Sequence, residues 1–223
     1  MPTTLITGAT GGIGMALARE LEHHHLILLG RDAKQLKTLR QSLPNAMNLT
    51  LDLRQPQYFL EQLESIPHID NLIHNAGIAG NLGRIENTSL GQWQEVLDVN
   101  LLAAVELTRI CLPRLRNSFG QVLFVNSGSG LTAHADWSAY AASKFALRAF
   151  ADALAAEEPL LRVQTVYPGR TATPMQEHVR AQENAVFEPE KYIQPQTLAK
   201  TIRHMLELPR DSVLKDVIVN RPA

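Results

Sequence analysis

Seven short apolar runs recur along this chain, and a stretch with helical spacing lies between almost every pair of them. The runs are TTLIT (3–7), LILLG (26–30), MNLTLDL (47–53), NLIHNAG (71–77), QVLFVNS (121–127), LRVQTVYPG (161–169) and DVIVN (216–220). Helical periods fill 12–23, 33–42, 56–65, 91–116, 138–156 and 195–207, with Pro, Gly, Asn or Ser at most of the boundaries. Strands that are apolar throughout, rather than at alternate positions, belong to a sheet covered on both faces. The strand-then-helix rhythm makes the crossovers parallel. The pattern predicts a doubly wound α/β domain, and such sheets bind ligands beyond the carboxyl ends of their strands, where chain order reverses.

At 223 residues the chain is sized for one domain, 1–223. A formal net charge of -1 leaves no basic excess to hold nucleic acid or an anionic membrane, so small molecules are the expected partners. The one cysteine, Cys111, has no internal disulfide partner and reads as a small apolar core residue, which fits a reducing compartment. No run of about 18 apolar residues spans a bilayer. MPTTLITGATGG lacks a basic segment before an apolar core and is not a secretory signal, so a cytoplasmic location is expected. His23, His24 and His25 follow one another at a helix end; adjacent residues point in different directions, and no metal site is expected.

TLITGATGGIG joins an apolar strand, a glycine turn and a helix start. Gly8, Gly12 and Gly14 are spaced GxxxGxG rather than GxGxxG, but the physics is shared. Glycines allow a tight turn and close backbone approach, and the helix start offers free amides to a pyrophosphate, with the Thr10 hydroxyl beside them. The second strand ends LLGRD, with Gly30 where a carboxylate would meet an adenosine ribose and Arg31 next. A guanidinium fork suits a 2′-phosphate, which favours NADP over NAD. If Asp32 faces the ribose instead, that preference weakens or reverses. In SAYAASK, Tyr140 and Lys144 stand one helical turn apart on one face, a spacing that permits a working pair and also occurs by chance.

TGATGGIG (7–14), HNAG (74–77), Asn100 in DVNL, Ser127 in VNSGSG, YAASK (140–144) and PGRTAT (168–173) stand together in one order over nearly the whole chain. In this the chain resembles the short-chain dehydrogenase/reductase family. Ser127 precedes Tyr140 by 13 positions, as the family has it. The resemblance implies a Rossmann-like three-layer sandwich with a seven-stranded parallel sheet, and an oxidoreductase moving a hydride between NADP(H) and a small or medium carbonyl or alcohol. It implies a cofactor site of Gly8, Thr10, Gly11, Gly12, Ile13, Gly14, Arg31, Asp52, Leu53, Asn75, Ala76, Gly77, Tyr140, Lys144, Pro168, Gly169, Thr171 and Thr173. Tyr140 would be the acid/base, with an ordinary pKa of about 10 lowered by the ammonium of Lys144. Lys144 would also bind the ribose, Ser127 would orient the substrate oxygen, and Asn100 would hold a relay water. His74 departs from the family's NNAG, a mild change because Asn75, Ala76 and Gly77 remain.

The segment after PG, 174–195, would be a short substrate lid or a plain surface connection. His134 and Trp137 would wall the pocket or merely pack against the helix. The resemblance also implies association through the helices near 91–116 and 138–156, giving a homodimer or homotetramer. An alternative is a non-catalytic NADP(H)-sensing protein on the same fold; such a protein would be expected to lose Ser127, Tyr140 or Lys144, and all three are present.

Overall fold

The computed structural model describes residues 1–222. Seven strands, β1 (Thr3–Thr7), β2 (His25–Gly30), β3 (Ala46–Thr50), β4 (Asn71–His74), β5 (Gln121–Val125), β6 (Arg162–Pro168) and β7 (Asp216–Val219), form one sheet in the order β3-β2-β1-β4-β5-β6-β7. Every pairing is parallel. The helices are α1 (Gly12–Glu20), α2 (Ala33–Gln41), α3 (Phe59–Leu63), α4 (Leu90–Leu97), α5 (Ala103–Ser118), α6 (Ser138–Glu157), α7 (Pro174–Gln182) and α8 (Pro195–Glu207).

Successive residues of the central strands feed opposite cores, which is why those runs carry apolar residues at consecutive positions. Leu5, Leu72, Val122 and Phe124 join Leu107, Leu147 and Leu154 on one face. Ile6, Ile73, Leu123 and Val125 join Leu17, Leu36 and Ile202 on the other. The expected doubly wound three-layer sandwich is the observed fold, and chain order reverses between β1 and β4.

Two elements differ from expectation. The single helix expected over 91–116 is α4 and α5 separated by a π-helical turn, Asp98–Leu102. The hydrophobic period runs through unbroken, so only the hydrogen-bond register reveals the insertion. The lid segment opens with α7, whose cap is legible in hindsight: Thr173 Oγ1 accepts from Gln176 N, and Pro174 sits at the first helical position.

A row of buried polar side chains crosses the sheet at the end away from the reversal cleft. His24 Nδ1 pairs with Thr4 Oγ1 at 2.8 Å, Asn71 Nδ2 donates to the same oxygen at 2.8 Å, and Gln121 Nε2 donates to Asn71 Oδ1 at 3.0 Å. Gln164 Nε2 donates to Gln121 Oε1 at 2.9 Å. Buried polar groups must find partners. This row supplies most of them and ties β1, β4, β5 and β6 side by side.

Candidate active site

Two adjoining cavities open over the carboxyl ends of the strands. The larger, about 890 Å³, is lined by the glycine turn, Arg31, Asp32, Asp52, Leu53, Arg54 and the Asn75–Ile78 loop. Gly8 has a positive φ of +64°, and a Cβ there would lie 2.8 Å from Ala76 Cα. The turn therefore packs directly on the loop after β4. Asn75 Nδ2 donates to the carbonyls of Thr7 and Gly8, while Thr7 Oγ1 accepts from the amides of Asn75 and Ala76 at 3.0 Å.

Gly11 opens α1 with no side-chain cap and no acidic residue in the first turn, so the helix start presents amides and positive dipole to the cavity. This fits a pyrophosphate. Gly14 does not line the cavity: a Cβ there would sit 2.2 Å from the Gly8 carbonyl oxygen, so its contribution is to let the helix begin against the turn.

Asp32 caps α2, its Oδ1 accepting from the amides of Lys34 and Gln35 at 2.9 Å. Arg31 has no hydrogen bond or ion pair among the described residues and stays exposed at the cavity wall. The Asp52 carboxylate is clamped by Arg54, which holds it below the usual carboxylate range.

The smaller cavity, about 440 Å³, is lined by Ser127, Tyr140 and Lys144 together with Pro168, Gly169, Thr171, Thr173, His134 and Trp137. Asn126 ties two of these together: its Oδ1 accepts from Ser127 N at 2.9 Å and its Nδ2 donates to the Lys144 carbonyl at 3.1 Å. Ser127 Oγ accepts from Ser129 N at 3.1 Å, which leaves its own proton free to donate. Lys144 Nζ donates to the Val125 carbonyl at 3.2 Å and lies 5.8 Å from the centre of the Tyr140 ring. Trp137 meets that ring edge-on at 5.6 Å.

The expected lowering of the Tyr140 pKa does not occur in this structure. Burial raises the phenol, the Ser127 hydroxyl offsets part of the rise, and the net direction is up. Burial also lowers the Lys144 ammonium to about 8. Desolvation penalises both charged forms and is the largest influence on each. At neutral pH the phenol keeps its proton.

Asn100 lines neither cavity; it lies buried in the π turn and works from behind. Its carboxamide accepts from Ile78 N at 2.8 Å and donates to the Ile78 carbonyl and to Ser143 Oγ, each at 2.9 Å. A Cβ on Gly77 would lie 3.2 Å from Asn100 Oδ1 and 3.6 Å from Lys144 Nζ, so Gly77 keeps the gap between them open. His74 is a core residue, stacked on Phe124 and paired with Thr108 Oγ1 at 2.8 Å.

Sequence reasoning missed Thr7, Arg54 and Gln176. Thr7 and Arg54 sit inside or beside expected motifs without a signature of their own. Gln176 was legible only as the third residue of a helix that the Thr173–Pro174 pair announces.

A doubly wound sheet with an anion-ready helix start at its reversal point, beside a serine, a tyrosine and a lysine, defines a nucleotide-dependent oxidoreductase class. The chain belongs to the short-chain dehydrogenase/reductase family: the short chain dehydrogenase model matches residues 2–184. Members bind a nicotinamide cofactor and act on small molecules. The chain is 32% identical to the benzil reductase ((S)-benzoin forming) of Saccharomyces cerevisiae, over 79% of this chain and 74% of the relative. It is 29% identical to a probable NADP-dependent dehydrogenase of Haemophilus influenzae, over 93% and 88%. The alcohol dehydrogenase of Thermococcus sibiricus, solved with 5-hydroxy-NADP, superposes with a TM-score of 0.89 at 26% identity, covering 100% of this chain and 99% of that one. Among the described residues, no helix is long and apolar enough to cross a membrane.

Proposed function

We propose that the protein is an NADP-dependent reductase of small or medium neutral carbonyl compounds. The observation that carries this reading is the buried Tyr140 phenol, protonated at neutral pH, in one cavity with the Ser127 hydroxyl that hydrogen-bonds it. In this reading the cofactor, when bound, supplies the hydride. Ser127 donates to the substrate oxygen, and Tyr140 gives it a proton as negative charge builds there. Lys144 binds the ribose, and its ammonium favours the tyrosinate left behind. Asn100 Oδ1 faces the gap at Gly77 toward Lys144, where one water can relay a proton.

The larger cavity is the nucleotide site: Gly8, Thr10, Gly11, Gly12 and Ile13 at the pyrophosphate, Asp52, Leu53 and the Asn75–Gly77 loop at the adenine. Pro168, Gly169, Thr171 and Thr173 hold the nicotinamide end. Gly12 draws the two ends together, since a Cβ there would lie 2.7 Å from Thr173 Cγ2. Carbonyl chemistry is also what the benzil reductase relative is named for. The reading takes residues 1–223 as one catalytic domain acting in the cytoplasm as a homodimer or homotetramer. Exposed Leu102 and Phe145, on the helical stretches expected to associate, support the last point.

The test is titration with NADPH and NADH, followed by loss of nicotinamide absorbance against aldehydes, ketones and quinones. NADPH binding with no turnover of any compound would move the protein to the sensor reading. With Asp32 committed to its cap, Arg31, unpaired among the described residues, is the cation offered to a 2′-phosphate. Arg31→Ser is expected to raise the Kd for NADPH about 10- to 100-fold, the worth of a charged hydrogen bond, with the Kd for NADH little changed. Equal losses for both cofactors would remove Arg31 from that role. Gly77→Ala is expected to lower kcat about tenfold or more by filling the gap between Asn100 and Lys144. Single-turnover rates beside thermal unfolding distinguish this from misfolding.

A further inference from the structure

Three buried side-chain polar atoms lack a partner among the described residues: Arg162 Nε, Gln164 Oε1 and Gln176 Nε2. Arg162 and Gln164 belong to β6 and line neither cavity. Gln176 lines the smaller cavity but not the nucleotide cavity, and it is only 8% exposed. A buried amide with no acceptor carries a desolvation cost that a partner would remove.

The surrounding side chains hold Gln176 in place without pairing it. Its backbone amide is fixed by Thr173 Oγ1 at 3.2 Å, and α7 is tied across the cavity by Gln182, which accepts from Leu82 N at 2.6 Å and donates to the Gly80 carbonyl at 3.2 Å. The neighbouring Val179 packs with Ala79 and Tyr140. Gln176 is therefore an unpaired polar side chain on a fixed backbone, in the same cavity as the proton donors.

The guanidinium groups near this wall are already paired. Arg170 is bridged by both carboxylate oxygens of Glu183, and Arg180 also binds Glu183. A carboxylate substrate would find no unpaired guanidinium there.

Resting on the reductase reading above, we propose that Gln176 donates from Nε2 to a second oxygen on the substrate. The site thereby prefers neutral carbonyl compounds bearing a further acceptor oxygen, as a second carbonyl or a hydroxyl, over plain ketones. Tyr140 and Ser127 serve the reacting oxygen and Gln176 the other. The carboxamide turns about a broad terminal torsion, so small rotations bring Nε2 to the ligand.

Matched pairs test this: benzil or benzoin against deoxybenzoin, and ethyl acetoacetate against 2-hexanone, each with saturating NADPH. The ratio of kcat/KM within a pair cancels changes common to both members. Gln176→Met is expected to lower the oxygenated-to-plain ratio about tenfold, the worth of one hydrogen bond to a buried donor. Gln176→Glu keeps the shape but cannot donate when ionised, and is expected to lower the ratio likewise. Loss confined to the dicarbonyls or confined to the hydroxyketone identifies which oxygen is read. An unchanged ratio in both variants overturns the assignment, as does a rise in the NADPH Kd matching the loss, which would give Gln176 to the cofactor. Turnover of no pair while NADPH binds overturns the reductase reading itself, and this inference with it.

Discussion

Tyr140→Phe is expected to cut carbonyl reduction about a thousandfold while NADPH still binds. Phenylalanine keeps the ring that packs with Ala79, Val179 and Trp137, so the fold and the cavity wall survive. What disappears is the one acidic proton positioned beside Ser127. The Ser127 hydroxyl can still hydrogen-bond the substrate oxygen, but alone it is too weak an acid to replace the phenol. The pH profile is a second readout. Burial raises the Tyr140 pKa, so the phenol is fully protonated at neutral pH and its ionisation should not limit reduction until well into the alkaline range, any earlier fall near pH 8 belonging to Lys144. Alcohol oxidation needs the tyrosinate and should climb with pH over the same range. A Phe variant turning over within about tenfold of wild type would remove Tyr140 from the proton step.

The two-sided parallel sheet was legible because burial on both faces leaves a mark: runs such as LILL (26–29) and VLFV (122–125) do not alternate apolar with polar residues. The site was legible to the extent that it rests on local spacing. Gly8, Ser127, Tyr140 and Lys144 each lie in a short motif, and the fold brings those motifs to one edge of the sheet. Features made by long-range packing were hidden. The π turn at Asp98–Leu102 leaves the apolar period intact, so the sequence 91–116 reads as one helix. The direction of the Tyr140 shift depends on how deeply both partners are buried, which four-residue spacing does not encode. In α7, PMQEHVRAQ offers few apolar residues to a periodicity argument, although its cap residues are plain. Likewise His24 looks like one of three adjacent histidines, yet it alone of the three is buried, because Thr4, itself held by Asn71, is there to receive it.

That buried histidine, with His74, makes acid the condition under which the fold should fail. Burial lowers His24 from 6.5 to about 4 and His74 from 6.5 to about 3, with the adjacent His23 adding to the first shift. Glu207 and Asp70 pull His24 upward and Arg203 pulls it downward, and burial prevails. The bonding agrees: Thr4 Oγ1 accepts from Asn71, so its own proton is best donated to an unprotonated His24 Nδ1. Folded-state values below the unfolded one mean that the unfolded chain binds protons first as pH falls. The stabilising contribution is complete above pH 6.5 and declines through the interval down to about 4 for His24 and about 3 for His74. At pH 5 each histidine is expected to have cost about 2 kcal/mol, together a large part of a typical 5–15 kcal/mol. Urea unfolding from pH 8 to pH 5 should show stability falling with a slope of about two protons near pH 5, and about one in His74→Asn. The Asn variant matters because its absolute stability at pH 8 is irrelevant to the slope. Equal slopes in the two proteins would mean that His74 takes up its proton without unfolding, and that the core around Phe124 and Thr108 admits a charge.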